Sequence, residues 1–333
     1  FLCIGIIYAW SIFAEVFKQN FQTWTNTALA STFTIIMAFF CVGNVSGGFI
    51  LKKLSPKKTL LITGILIGLS FIAVSALQEN TIWLLYLSYG VVGSFGVGLS
   101  YNVVLSVVTK WFPDKVGMAS GILMMSFAFS TLVLGMGANY LMGIYSFRLV
   151  FILMGIVTAV VLFIGAALLK APDENVVLPQ AGKKASRASE AQASMTVNEM
   201  LKTSAFWLFF VWGIMQLICV YAVMGNAKQC VLELNPTAIS IATLSVTIIS
   251  VFNGLGRLIL GTAYDKIGRL WTMTLDTALI IIASMLLIVS FKTGSIPLMI
   301  AGFMFVGFSY GGIPAIASAF SVDYFGPNDF SLK

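Results

Sequence analysis

Long apolar runs, separated by short polar segments, recur from one end of the chain to the other. Each run is about as long as a helix needs to cross the ~30 Å hydrocarbon core of a bilayer. The pattern therefore predicts ten membrane-spanning helices, numbered here as spans 1 to 10. We place them at residues 1–17, 27–51, 59–77, 82–109, 117–142, 148–169, 204–225, 236–260, 270–291 and 296–321.

One polar segment, residues 171–203, is much longer than the others and separates six spans from four. The predicted organisation is an N-terminal six-helix bundle at 1–170, a cytoplasmic linker at 171–203, and a C-terminal bundle at 204–333 that holds helices 7–10. Near the end of the linker, Thr196 and Glu199 have the spacing of a capping box. This spacing predicts a short helix that leads into span 7.

The composition and the distribution of charge also indicate a membrane protein. Hydrophobic residues make up 59% of the chain and charged residues 9%, whereas a soluble domain has about a quarter charged residues. Of the nineteen lysines and arginines, fourteen follow even-numbered spans and four follow odd-numbered spans. Because cytoplasmic loops accumulate Lys and Arg, the N-terminus and the even-numbered segments are predicted to face the cytoplasm across a plasma (inner) membrane. The net charge of +7 then reflects topology and does not indicate a nucleic-acid partner.

The residue types argue against an enzyme. The chain has no histidine, and its four cysteines lack the spacing of a metal site or a disulfide framework. Histidine is the commonest metal ligand and the side chain that titrates near neutral pH. No paired carboxylates and no nucleophile with a base stand out. We therefore expect no metal, no nucleotide and no prosthetic group.

A short repeat links the two halves of the chain. Residues 261–268 align with residues 48–55 at an offset of 213. The copies differ, because Lys52 stands where the second copy has Asp265. The repeat predicts a duplicated transporter of six plus six helices. In that scheme the chain is a fragment, and two further helices are expected after Lys333.

The second copy, with the spacing Gly-x-x-x-Asp-Lys-x-Gly-Arg, resembles the signature loop of the major facilitator superfamily. A glycine at 261 allows two helix ends to approach, and a glycine at 268 permits a tight turn. Asp265 is expected to accept hydrogen bonds from a helix N-terminus or to pair with a cation, and so to hold one conformational state. We call Gly261, Asp265, Lys266, Gly268 and Arg269 the latch residues, with Gly48 and Lys52 as their degenerate copy.

Three further motifs look like the oxalate/formate antiporter family, which is related to the monocarboxylate transporters. They are residues 8–13 (Tyr-Ala-Trp-Ser-Ile-Phe), 110–115 (Lys-Trp-Phe-Pro-Asp-Lys) and 323–327 (Asp-Tyr-Phe-Gly-Pro). The resemblance covers essentially the whole chain. It implies an all-α major facilitator fold of twelve helices in two six-helix bundles, of which about ten helices are present here. It also implies one central site for small organic anions, about which the halves rock in alternating access.

Arg257 is the leading candidate for anion binding. It lies four residues before Gly261, near the end of span 8. A guanidinium is planar, permanently charged and suited to hold a carboxylate through two hydrogen bonds, and an ionisable residue inside a bilayer indicates function. The alternative is that Arg257 extends to the lipid headgroups. The resemblance favours binding, since both related families place a substrate-binding arginine at this spacing before the loop.

Asn253 lies four residues before Arg257 and therefore shares its helical face. In the proton-coupled monocarboxylate transporters that the chain resembles, the matching position is a titratable aspartate. An amide cannot change its charge, so Asn253 favours anion exchange over proton symport. The repeat mate of Arg257 is Asn44, which confines the positive charge to one half of the chain.

Aromatic residues are candidates for the walls of the anion cavity. They are Tyr8 and Trp10 in span 1, Tyr101 in span 4 and Tyr310 in span 10. Phenol donors suit a small carboxylate, and the resemblance implies such aromatics, with helix packing as the alternative for each of them. Asp276, in span 9, is expected to pair with a cation rather than to take up a proton, because an acid that faces an anion pathway repels the substrate.

The favoured function is exchange of small mono- or dicarboxylates such as oxalate, formate, lactate or pyruvate by a monomer in the bilayer. The resemblance implies that a lysine in span 11 accompanies the span-8 arginine. Span 11 would follow Lys333, so the choice between mono- and dicarboxylates stays open. Two alternatives remain: a proton-coupled monocarboxylate symporter with Asp276 as the proton carrier, and a sensor or inactive product that binds an anion without moving it.

Overall fold

The computed structural model describes residues 1–172 and 195–326. Within these two ranges the chain is helical and contains no β-strand, so the predicted all-α class is confirmed. Most of the predicted linker lies outside the described residues, and its role as a domain boundary stays a prediction. The helices are α1 (Trp10–Asn20), α2 (Asn26–Leu51), α3 (Pro56–Ser75), α4 (Ile82–Trp111), α5 (Val116–Met142), α6 (Phe147–Leu168), α7 (Val197–Met200), α8 (Ser204–Leu234), α9 (Ile239–Thr293) and α10 (Ile296–Phe325).

Hydroxyl side chains cap the N-termini of several of these helices. Thr25, Ser55, Ser146 and Thr203 each accept a hydrogen bond from the backbone N–H three residues ahead, at 3.1 to 3.4 Å. Such caps satisfy amides that have no partner within the helix. The predicted capping box before span 7 is confirmed: the hydroxyl of Thr196 and the carboxylate of Glu199 each accept from the other residue's backbone N–H, and α7 follows.

Among the described residues, eight helices are long and apolar enough to cross a membrane, whereas the sequence pattern predicts ten spans. The difference has two local causes. Predicted span 1 is divided between a 3₁₀ segment, Ile4–Ala9, and the short helix α1. Predicted spans 8 and 9 are joined in α9, whose 55 residues are about 80 Å long at 1.5 Å per residue.

Gly268 divides α9 into two limbs. Its backbone has φ 80° and ψ 173°, a conformation that is essentially restricted to glycine. We call residues 239–267 the first limb and residues 269–293 the second limb. Because about 80 Å is far more than one bilayer crossing, the two limbs correspond to the predicted spans 8 and 9.

The described chain forms two compact units. The first comprises residues 1–111 and 126–172, and the second comprises residues 112–125 and 195–326. Large apolar side chains are exposed on the helices of both units, including Leu168 at 76% and Leu208 at 70% exposure. Such surfaces are unusual in a water-soluble protein and fit contact with lipid.

The core of the first unit is rich in aromatic residues. Phe13, Phe17 and Phe151 are fully buried, and the Phe17 and Phe151 rings stack at 5.4 Å between centroids. Tyr89 joins them with its ring 6.2 Å from that of Phe13. Offset and edge-to-face pairs of this kind stabilise a core beyond the burial of their area.

In the second unit, α10 packs along both limbs of α9. Small residues let the backbones approach: a Cβ atom added at Gly256 or Gly307 would collide with the backbone of Phe308 or Ile249 in the contact with the first limb. In the contact with the second limb, a Cβ atom at Gly302 would lie 3.3 Å from the carbonyl oxygen of Ala283. Close contact of this kind between small residues is a common way for helices to associate in a membrane. The first limb, the second limb and α10 therefore form one tightly packed group, which positions the residues considered next.

Candidate functional site

Arg257 lies inside the packed second unit, at 6% exposure. Its Nε–H donates to Oδ1 of Asn253 at 3.2 Å, and Nη1 donates to the backbone carbonyl of Met124 on α5 at 2.6 Å. Arg257 makes no ion pair with any residue of the described ranges. The guanidinium is thus held in place by two neutral acceptors, and its charge is not neutralised by a described side chain.

Two glycines enclose the backbone at this position. A Cβ atom at Gly121 of α5 would collide with the carbonyl oxygen of Arg257. A Cβ atom at Gly311 of α10 would collide with the carbonyl oxygen of Asn253 and would lie 2.8 Å from the backbone nitrogen of Arg257. The helices α5 and α10 therefore contact the first limb on its backbone, and they fix where the guanidinium sits.

The hydrogen bonds that Arg257 and Asn253 form leave N–H groups of both side chains available to bind an anion. A guanidinium has five N–H groups, and the two bonds described above use two of them. Because Oδ1 of Asn253 accepts from Arg257, the amide presents its NH₂ group. A positively charged fork beside an amide donor is an arrangement that can bind a planar anion such as a carboxylate.

The predicted aromatic residue of α10, Tyr310, pairs with a residue that sequence analysis did not select. The hydroxyl oxygens of Tyr310 and Tyr221 are 3.3 Å apart, and their ring centroids are 5.7 Å apart. Tyr221 on α8 lies 213 residues after Tyr8, which is the offset of the repeat. The repeat was the one signal that could have identified Tyr221.

The other predicted aromatic residues lie in the first unit. Trp10 is 5% exposed, and its ring lies 5.6 Å from Tyr89 and 6.1 Å from Phe17. It therefore belongs to the aromatic core. Tyr101 is half-buried, with its ring 5.0 Å from Phe1. Tyr8 lies in the 3₁₀ segment Ile4–Ala9, and its side chain is outside the described part of the chain.

The repeat mate of Arg257 takes part in a neutral polar contact within the first unit. Oδ1 of Asn44 on α2 accepts a 2.8 Å hydrogen bond from Nδ2 of Asn102 on α4. The hydroxyl of Ser106 donates to Oδ1 of Asn102 at 3.3 Å. The two positions that the repeat relates thus differ in chemistry: one carries a cation, and the other carries an amide that is bonded to a second amide.

Asp265 contacts the start of α5. Its Oδ1 accepts from the N–H of Gly117 at 2.9 Å, and its Oδ2 accepts from the N–H of Met118 at 2.7 Å. These amides belong to the first turn, where no intrahelical acceptor exists and the helix dipole favours a negative charge. Gly117 and Gly261 touch through their backbones, because a Cβ on either would collide with the carbonyl of the other. The close contact of Gly117 with Gly261 therefore lets the carboxylate of Asp265 reach the backbone amides at the start of α5.

The remaining latch residues have different surroundings. Gly268 breaks α9 as described, and Lys266 is exposed. The guanidinium of Arg269 lies over the ring of Tyr324, 5.0 Å from its centroid. In the degenerate copy, Gly48 is buried near the end of α2, and Lys52 is exposed just after that helix.

Asp265→Asn is expected to speed hydrogen exchange at the amides of Gly117 and Met118 by about tenfold. A charged acceptor at a helix N-terminus contributes ~1 to 2 kcal/mol, and 1.4 kcal/mol corresponds to about a factor of ten. The measurement is exchange mass spectrometry on peptides from the start of α5. Asp323→Asn is the control, because Asp323 accepts from the hydroxyl of Tyr264 and not from a helix amide. Unchanged exchange in Asp265→Asn would contradict the role of this carboxylate.

Asp276, in the second limb, is fully buried at 0% exposure. Neither of its carboxylate oxygens has a hydrogen-bond partner within the described structure, and the same is true of the hydroxyl of Ser309 on α10. The cation that was expected to pair with Asp276 is not found in residues 1–172 or 195–326. Ser309 is the polar residue of α10 at the level of Asp276, because Gly302 of α10 lies against Ala283 of the second limb and each of these residues is seven positions from Ser309 or Asp276.

Comparisons with known proteins agree on family and fold. The family model described as Major Facilitator Superfamily matches residues 1–331. The chain is 25% identical over 328 residues to the oxalate:formate antiporter of Oxalobacter formigenes, covering 97% of this chain and 74% of that protein. It is 24% identical over 329 residues to the uncharacterized MFS-type transporter YhjX of Escherichia coli (strain K12), covering 98% of this chain and 79% of that protein. Among solved structures, the proton:xylose symporter XylE matches with a TM-score of 0.66 over 99% of this chain and 82% of that chain, at 15% identity. The last comparison shows the fold alone.

Proposed function

This chain belongs to the major facilitator superfamily, and on that premise we propose that it exchanges small organic anions across a membrane by alternating access. Proteins of this superfamily are transporters and not enzymes, so the chain is an integral multi-pass membrane protein with a small-molecule substrate. Mono- and dicarboxylates are the proposed substrate class. Oxalate and formate are the first candidates, because the antiporter relative that is named for them matches 97% of this chain.

The single observation that carries this proposal is the buried guanidinium of Arg257. An uncompensated charge inside a membrane protein is costly, and a bound anion would compensate it. The contacts to Asn253 and Met124 orient the group without neutralising it. In this proposal the carboxylate takes up the remaining N–H groups of Arg257, and the amide of Asn253 donates to the same anion.

Exchange is proposed over proton symport because of Asn253. Its amide lies 3.2 Å from the guanidinium and cannot carry a proton through the transport cycle. An anion that enters one side is then balanced by an anion that leaves. The alternative of proton symport rests on another residue, Asp276, which does not contact Arg257 among the described hydrogen bonds.

The aromatic residues receive different roles in the proposal. Tyr310, with its partner Tyr221, is proposed to offer phenol groups to the anion, and Tyr101 and Tyr8 are proposed as wall residues of the anion path. Trp10 is proposed to support that path by packing and not by contact, because it is buried in the aromatic core.

Asp265 and the other latch residues are proposed to stabilise one conformational state. The two hydrogen bonds to the start of α5 tie the end of the first limb to a second helix, and transport requires such contacts to form and break. The distribution of lysine and arginine supports an N-terminus on the cytoplasmic side of a plasma (inner) membrane. A monomer is proposed, since the anion site needs no second copy of the chain.

Counterflow in proteoliposomes tests the proposed function. Vesicles that contain the protein are loaded with unlabelled oxalate, formate, lactate or pyruvate, and labelled anion is added outside without a pH gradient. Transient accumulation of label against an internal pool of the same anion would support exchange and identify the substrate. Vesicles without protein, and vesicles loaded with uncharged sugar, are the controls.

The alternatives predict different results in the same vesicles. No counterflow with any of the four anions, together with uptake driven by an imposed pH gradient, would favour a proton-coupled symporter. Binding of an anion without flux in either assay would favour a sensor. Absence of both binding and flux would contradict the proposed substrate class.

A further inference from the structure

We propose that Asp276 is a proton-binding site within the second unit, with Ser309 of α10 as its polar partner. This inference goes beyond the proposed function, because it holds whichever anion the protein carries. The sequence favoured an ion pair for Asp276 and kept proton binding as the alternative, and the buried, unpaired carboxylate supports the alternative. The proposal rests on the position of the carboxylate, on the chemistry of its neighbours, and on the helix that contacts it.

The carboxylate of Asp276 lies in the interior of the second unit. Asp276 is at 0% exposure, and Ser309 is also at 0%. Two turns further along, a Cβ atom at Gly302 of α10 would lie 3.3 Å from the carbonyl oxygen of Ala283 in the second limb. The two helices therefore run in close contact through this region, and Asp276 lies inside that contact.

No cation of the described residues forms an ion pair with Asp276, and the polar contacts beside it along the second limb are neutral. On α8, Trp212 and Gln216 donate at 3.0 and 2.9 Å to the hydroxyl of Thr277, the residue that follows Asp276. The phenols of the region, Tyr221 and Tyr310, pair with each other. Apolar side chains complete the surroundings of the second limb at this level: Val220, Ile280, Ala283 and Val306.

These surroundings select a proton over other ligands. An ionised carboxylate that is buried without a partner is strongly disfavoured, and a group in this situation takes up a proton and becomes neutral. Calcium and magnesium need about six or more oxygen ligands in their usual coordination, and zinc sites usually have four ligands from Cys, His, Asp or Glu. The described residues contain no cluster of three metal-binding side chains, and Asp276 with Ser309 supplies at most three oxygens. A proton is the one common cation that a single carboxylate binds by itself.

The helix α10 gives this proton site a connection to the anion site. It presents Ser309 to Asp276 on the second limb, and it presents Gly311 to the backbone of Asn253 and Arg257 on the first limb. If Asp276 loses its proton, the new charge requires water or a cation, and α10 must move away from the second limb to admit it. Such a movement would change the contact of Gly311 with the first limb.

Infrared spectroscopy of the reconstituted full chain tests the proposal without any substrate. Difference spectra are recorded between mildly acidic and mildly alkaline pH in the region of the protonated carboxylic acid C=O stretch. We expect a pH-dependent band that is lost completely in Asp276→Asn. Asp114→Asn is the matched control and should keep the band, because Asp114 is partly exposed and its carboxylate lies 3.8 Å from Lys115.

Other results of the infrared measurement would contradict or support proton binding by Asp276. Identical difference spectra for the wild-type protein and Asp276→Asn would overturn it, since Asp276 would then keep one protonation state throughout. Loss of the band when NaCl is added at constant pH would also overturn it and would indicate a metal-cation site. If Asp276→Asn does not fold, Asp276→Glu replaces it, and a shift in the frequency of the band would support the assignment. Failure of anion counterflow leaves this result unaffected, so the two proposals can fail separately.

Discussion

Arg257→Ala is expected to lower anion counterflow at least about 100-fold while the protein remains folded. A hydrogen bond to a charged group contributes ~1.5 to 3 kcal/mol, and a carboxylate held by a guanidinium fork loses two of them. The loss of ~3 kcal/mol or more corresponds to about two orders of magnitude. The measurement is the initial rate of counterflow with the anion that the wild-type protein accepts, at equal amounts of reconstituted protein.

Two further variants separate charge from geometry. Arg257→Lys keeps the positive charge but not the planar fork, and we expect it to retain more flux than Arg257→Ala and less than wild type. Arg148→Ala should transport normally, because Arg148 is not among the proposed site residues and its side chain donates to the backbone carbonyl of Leu77 at 3.3 Å. The site assignment would be wrong if Arg257→Ala kept wild-type flux.

Folding of Arg257→Ala has to be checked separately, because the truncation leaves two acceptors unpaired. The Oδ1 atom of Asn253 and the carbonyl of Met124 both lose their donor. A buried acceptor without a partner costs ~1 to 3 kcal/mol. A monodisperse elution profile and a cooperative thermal transition would show that the loss of flux does not come from unfolding.

Gly311→Ala is expected to lower the melting temperature by on the order of 5 °C and to reduce counterflow about tenfold. The added methyl group would collide with the carbonyl oxygen of Asn253 and would lie 2.8 Å from the nitrogen of Arg257. Overpacking of a tight contact typically costs ~1 to 3 kcal/mol, and each kcal/mol changes the melting temperature by ~2 to 4 °C in a large domain. Because backbone atoms cannot rotate out of the way, α10 must shift and disturb the guanidinium.

Gly213→Ala is the matched control for this substitution. Gly213 also lies within a helix, but nothing lies within 4 Å of the position that its Cβ would take. Alanine is ~1 kcal/mol better than glycine in a helix interior, so this variant should melt at the wild-type temperature or slightly above it. Equal stability and equal flux for the two variants would show that the contact between α10 and the first limb does not control the site.

Some features of the fold follow from local sequence alone. The apolar runs predict where most helices lie, because a backbone inside a bilayer must satisfy its hydrogen bonds within each helix. The spacing of Thr196 and Glu199 predicts the start of α7, since a capping box involves only neighbouring residues. The break of span 1 into Ile4–Ala9 and α1 was not predicted, as an apolar run does not distinguish a 3₁₀ segment from an α-helix.

The candidate site was predictable only in part. Arg257 and Asn253 could be identified together because a four-residue spacing places them on one helical face. The third group, the carbonyl of Met124, is 133 residues away and is a backbone atom, so no residue type indicates it. For Asp265 the sequence predicts a helix N-terminus or a cation as partner, and the contact of Gly117 with Gly261 selects the first turn of α5.

The sequence by itself determined the class of the protein, the positions of most helices, the repeated loop and the presence of a cation near the end of span 8, because these depend on hydrophobicity, spacing and residue chemistry. Only the tertiary structure decided which groups meet that cation and that Asp276 has a serine rather than a cation beside it. The physical reason is that helices from distant parts of the chain approach through glycine contacts. Such contacts depend on the shapes of both surfaces, and the local pattern of either helix does not specify them.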